Sequence, residues 1–228
     1  MKLFFKKLFK QNKKLFLCLI CLDLLVLLIH LLFGKYNHFF HLDFEQNLPT
    51  YYQSFKLIIF GLVFFIFSFS KSLKGNLRNF MLPLSIFLIY LGLDELLQIH
   101  ENIYRVFEYF DLFHPSRIVE ASIKLGYRSS LWILYYLPFI LIFGFWCGYW
   151  LRYFQSQMKD NFWILALSGF SLFTILSTEV FSSTGALNEN SYFWLVTIEE
   201  TAEMLLASTL ILVGSKVINK KKLVKIVV

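Results

Sequence analysis

Two short stretches hold most of the reactive groups that lie inside apolar sequence. The first, LDELLQIHE, places Asp94, Glu95, His100 and Glu101 at the end of a long apolar run. The second, TIEETAEM, places Glu199, Glu200 and Glu203 inside another, and Glu179 closes the run before it. Carboxylate oxygens with one imidazole are a ligand set for zinc, iron or manganese. Carboxylates within apolar helices are also the groups that proton relays use. A charge at the centre of a membrane helix costs roughly 2.5–3.5 kcal/mol on insertion scales, so a chain that keeps several has partners or a use for them.

Helical spacing sorts these groups. A helix turns about 100° per residue, so Asp94, Gln98, Glu101 and Arg105 share one stripe, with Glu95 about 100° round from Asp94. One regular face cannot present all four groups of the first stretch to a single point. A distortion, or a neighbouring helix, is needed to bring in Glu95 or His100. In the second stretch Glu203 is flanked by Glu199 and Glu200 at helical spacing. Three carboxylates this close repel one another and persist only with cations, protons or basic partners.

The elements that carry these groups are membrane spans. The 228-residue chain is 57% hydrophobic and only 16% charged, against about 25% charged in a soluble domain. Several apolar runs approach the roughly 20 residues that cross a bilayer. The expected fold is all-α, a polytopic bundle of about six transmembrane helices near 15–33, 55–70, 80–100, 130–150, 162–180 and 193–214. The first run is longer than a signal-peptide core and lacks a small-residue cleavage site, so it reads as an uncleaved span. Most of the 22 basic residues, among them Lys6, Lys13, Arg78, Arg152, Lys159 and Lys220, fall on one side, with the single acid Asp160. That asymmetry puts both termini in the cytoplasm. The expected organisation is a basic N-terminus (1–14), a six-helix membrane domain (15–214) and a basic tail (215–228) in a bacterial cytoplasmic membrane. The net charge of +7 therefore reports topology, and no nucleic-acid partner is expected. The acids and all five histidines then gather on the extracytoplasmic side.

Three functions fit such a cluster. The first is a metal-dependent hydrolase of a lipid or lipid-linked substrate. Asp94, Glu95, His100, Glu200 and Glu203 would supply the ligands to a divalent zinc, iron or manganese, and Glu101 or Glu179 the general base. The second is a proton- or cation-coupled transporter of a small molecule. Arg105, Arg117, Lys124 and Arg128 would be its counter-ions, and Pro83 and Pro138 its candidate helix breaks. The third is a structural or interaction role, with the acids paired to Arg105 and Arg128.

Other features have plainer readings. Asp23 and His30 share one face of the first span, and Asp23 is expected to be buried against another helix. His30 reads as a packing histidine, with a place in the outer cluster as the alternative. Cys18 and Cys21 read as small packing residues rather than a redox pair. Ser168, Ser171, Thr174, Ser177 and Thr178 read as hydroxyls bonded to their own helix backbone. The stretch 102–128 reads as an amphipathic interfacial segment broken at Pro115.

The pairing of LDELLQIHE with EETAEM resembles a group of uncharacterised bacterial six-span membrane proteins with an LDExxxxHE motif and a late EExxEM motif. The matching positions are Asp94, Glu95, His100, Glu101, Glu179, Glu199, Glu200 and Glu203, and the resemblance covers about residues 80–213. It implies the same six-span fold, and some of those proteins are labelled transporters. There is a looser likeness to the alkaline ceramidase and adiponectin-receptor superfamily, which implies a membrane hydrolase with zinc held by several histidines. This chain departs from that pattern, because its last three spans contain no histidine.

Overall fold

A computed structural model describes residues 12–42, 44, 46–70, 73, 75–100, 102–103, 109, 120, 124, 132–157, 159–182 and 187–224. Among them there is no strand. Six long helices account for most of the described residues: α1 (Asn12–Ile29, continued by a π-turn His30–Gly34), α2 (Leu48–Ser68), α3 (Asn76–Leu97), α4 (Trp132–Gln157), α5 (Lys159–Ser182) and α6 (Glu189–Val224). All six are long and apolar enough to cross a membrane. The protein is thus an all-α, multi-pass bundle, as composition and hydropathy lead one to expect. Glu101 and Arg105, Arg117 and Arg128, as well as most of the amphipathic stretch around Pro115, lie outside the described residues.

The bundle is built around α6, which packs against α1, α2, α3 and α5. Its membrane-crossing window is 78% buried, against 11% for α4, which stands at the periphery. Leu210, Ile211, Val213 and Val217 of α6 are fully buried, and meet Phe64 of α2 and Phe80 and Leu84 of α3 in the main core. Between helices in lipid, such packing and the small residues that allow close approach replace the hydrophobic drive of water.

Two helices run further than their apolar stretches. α2 begins at Leu48, because Asn47 caps it: its side chain accepts from the Thr50 amide at 3.0 Å, with Pro49 in the first turn. Such caps are worth about 1 kcal/mol. This start places Tyr52, Gln53 and Lys56 on the helix. α6 continues past 214 through Lys216 to Val224.

The α2–α3 seam is glycine-dependent. A Cβ on Gly92 would stand 2.9 Å from the Ser54 carbonyl oxygen and 2.7 Å from Ile58 Cγ1. Helix propensity alone favours Gly92→Leu by roughly 0.8 kcal/mol, but backbone on the far side leaves no room for it. The expected result is a loss of about 1–3 kcal/mol, as for overpacked cores, read as a lower midpoint of thermal unfolding in detergent.

The first span shows one departure from expectation. Its buried stripe is Leu15, Leu19, Asp23, Val26 and His30. Cys18 and Cys21 fall off that stripe and are exposed, so they face the surroundings and do not pack between helices.

Candidate functional site

The first acidic stretch does not continue as a straight helix. α3 ends at Leu97, and Gln98 adopts a left-handed conformation (φ 53°, ψ 43°) with its amide donating to the Asp94 carbonyl. Residues other than glycine and asparagine rarely cap a helix this way. The break supplies the distortion that regular geometry lacks. His100 turns back over Asp94, its amide donating to Asp94 Oδ1 at 2.9 Å and its Nδ1 standing 3.1 Å from Oδ2. From α4, the Tyr136 hydroxyl donates to Asp94 Oδ1 at 3.4 Å, and Tyr90, one turn below Asp94, bonds the Tyr136 hydroxyl at 2.6 Å. Asp94 therefore orients an imidazole and is itself held by a phenol pair.

Glu95 turns the other way, as its 100° offset requires. Its side chain is hydrogen-bonded to Glu203 of α6, and Glu200, Glu199 and Glu179 lie within electrostatic reach of Glu203. The two acidic stretches do meet, and Glu95 is the α3 residue that touches Glu203. Two carboxyl groups bonded to each other need a proton or a cation between them. Among the described residues, no three His, Cys, Asp or Glu side chains form a group placed to hold a metal ion.

Beneath this pair lies a polar network that the sequence reading did not single out. Lys56 of α2 is buried and its Nζ lies 2.8 Å from Asp23 Oδ1 of α1. The Tyr52 hydroxyl donates to the same oxygen at 2.5 Å, and Ser208 Oγ of α6 to Asp23 Oδ2 at 2.6 Å. Lys56 Nζ also donates to the Met204 carbonyl at 3.3 Å. Glu95 is a further charge that acts on Lys56. One base, Lys56, thus stands between Asp23 and the acid pair Glu95 and Glu203, across α1, α2, α3 and α6. Asp23 is buried against other helices, as expected. The available signal for Lys56 was a lone lysine inside an apolar run.

His30 packs and clasps. Fully buried, it accepts from the Leu42 amide on Nδ1 at 3.2 Å, and its Nε2 lies 3.1 Å from Thr197 Oγ1 of α6. Thr197 gives its own hydrogen to the Phe193 carbonyl at 2.7 Å, so the Nε2–H is the donor of that bond. The ring stacks on Phe193 at 4.8 Å and meets the edge of His41 at 5.0 Å. His30 thereby ties the loop after α1 to the start of α6.

The serine and threonine hydroxyls of α5 behave as their spacing predicts, with one exception. Ser168, Thr174, Ser177 and Thr178 all donate to their own helix carbonyls. Ser171 does not: its buried Oγ has no hydrogen-bond partner among the described residues.

No curated protein and no solved structure matches the chain. One family model, described as a domain of unknown function (DUF8692), matches residues 15–215. That match reaches all six membrane-length helices and takes in every residue of the Asp94–His100, Glu95–Glu203 and Asp23–Lys56 groups, and the chain belongs to this family.

Proposed function

We propose that the protein is a proton- or cation-coupled transporter of the bacterial cytoplasmic membrane. The observation that carries this reading is the hydrogen bond between Glu95 and Glu203, two carboxyl groups from different helices with three further glutamates around them. Such a pair binds and releases one positive charge in a region where charges are otherwise costly. The Asp23–Lys56 pair continues the ionisable path toward the opposite side of the bundle. By the excess of basic residues at the other end, Glu95 and Glu203 face the extracytoplasmic side. The direct test uses purified protein in liposomes with a trapped pH-sensitive dye. An imposed pH gradient should decay faster than in empty liposomes, with and without a sodium or potassium gradient. Decay no faster than in empty liposomes under every ionic condition counts against the reading.

A second reading, the metal-dependent hydrolase of a lipid or lipid-linked substrate, draws on the Asp94–His100 contact. A carboxylate that fixes the Nδ1 side of an imidazole is the usual support of a metal-ligating or proton-transferring histidine. In that reading Glu95, Glu200 and Glu203 add ligands, and Glu101 or Glu179 is the base. Elemental analysis of the detergent-purified protein is the check. Zinc, iron or manganese near one per chain, lost in both Asp94→Ala and Glu203→Ala, is the expected result. Metal retained by both variants removes the ligand assignment.

A further inference from the structure

Between α5 and α6 runs an open groove with a volume of about 290 Å³. One wall is the α6 face from Trp194 through Thr197 and Thr201 to Leu205, and the other holds Phe170, Ser171 and Thr174. Trp194 and Phe170 are largely exposed, so the groove opens sideways, toward the lipid. The hydroxyls of Thr174, Thr197 and Thr201 are spent on their own helix carbonyls, which leaves the walls apolar in effect. Ser171, a lining residue that is 1% exposed, has a hydroxyl with no hydrogen-bond partner among the described residues.

The dimensions select the occupant. From residue 194 to residue 205 the α6 wall is about 16 Å long at 1.5 Å per residue, half of the roughly 30 Å hydrocarbon thickness of a bilayer. The groove therefore has the depth of one leaflet. Its outer end is marked by Trp194, a residue type that settles at the headgroup level. Next to it, the Phe193 ring lies 5.7 Å from the Trp194 ring and carries Lys35 Nζ 4.6 Å from its centroid. Lys35 is exposed and lies just beyond the first span, so a fixed positive charge stands where a lipid headgroup would be.

We infer that this groove is a binding site for an anionic phospholipid of the adjacent leaflet, with one hydrocarbon chain between α5 and α6 and the headgroup at Lys35. The site is separate from the Glu95–Glu203 pair and does not depend on the transport reading. Thr197 belongs both to the groove wall and to the His30 clasp, so the occupied groove braces the contact that ties the first loop to α6.

The test uses full-length protein in nanodiscs containing a small share of phosphatidylglycerol or phosphatidylcholine with a photoreactive group midway along one chain. After illumination, labelled peptides are located by mass spectrometry. The expected result is labelling concentrated on α5 and α6 around Ser171 and Leu205, several-fold stronger for the anionic lipid. Thr174→Phe and Thr201→Phe fill the groove from opposite walls. Either variant that elutes as the native species should lose most of that labelling, and Lys35→Glu should erase the preference for the anionic headgroup. Labelling equal to that of the lipid-facing α4 residues Phe139 and Phe145, or unchanged by a folded groove-filling variant, would overturn the site. A headgroup preference that survives Lys35→Glu would overturn the placement of the anion.

Discussion

Lys56→Ala should destabilise the bundle by about 3–5 kcal/mol, the usual cost of removing one partner from a buried ion pair. The side chains of Lys56 and Asp23 are only 3% and 10% exposed. Without the ammonium, the Asp23 carboxylate keeps the Tyr52 and Ser208 hydroxyls but loses its only opposite charge among the described contacts. The Met204 carbonyl also loses its lysine donor. The double variant Asp23→Asn/Lys56→Met removes both charges at nearly constant volume and should recover most of the loss, because the two changes are coupled. Unfolding of the detergent-solubilised protein by heat or by added denaturing detergent measures both. A Lys56→Ala protein within about 1 kcal/mol of the parent would show that the pair is not what holds α1 to α2, since surface-like pairs are worth no more than that.

Glu203→Gln is the corresponding experiment for function. The amide has nearly the shape of the acid and can still bond Glu95, so the α3–α6 contact survives. It cannot take up or release a proton, and it does not neutralise a cation. The rate of gradient decay in proteoliposomes should fall by about tenfold or more, in line with the loss of a positioned proton-transfer group, with little change in the unfolding midpoint. Glu95→Gln should act in the same way. Asp94→Asn provides the contrast, since Asp94 is engaged by His100 and Tyr136, and decay should stay within about twofold of the parent. Equal losses in Asp94→Asn and Glu203→Gln would merge the two groups into one transport unit, with Asp94 and His100 part of the relay.

The sequence by itself determined where the chain crosses the membrane and which acids are out of place there. Apolar transfer energy adds up residue by residue along a local window, so the six spans were legible without any partner being known. The offset between Asp94 and Glu95 was legible for a similar reason, because helical rotation depends on spacing alone. It showed that a regular helix could not gather Asp94, Glu95 and His100 at one point. It did not show that the chain would resolve this by breaking at Gln98, with His100 folded onto Asp94 and Glu95 left for Glu203.

Only the tertiary structure decided the pairings. Lys56 looks unfavourable within its own apolar window, and the helix that carries it begins at Leu48, ahead of the span expected from 55. The residue that makes Lys56 tolerable is Asp23, 33 positions earlier. Thr197, which completes the hydrogen bonding of His30, is 167 positions away from it. Electrostatic and hydrogen-bond energies belong to pairs of groups, and a pair between distant segments has no local signature. The chain alone therefore reveals a buried charge as a cost, and the fold reveals what offsets it.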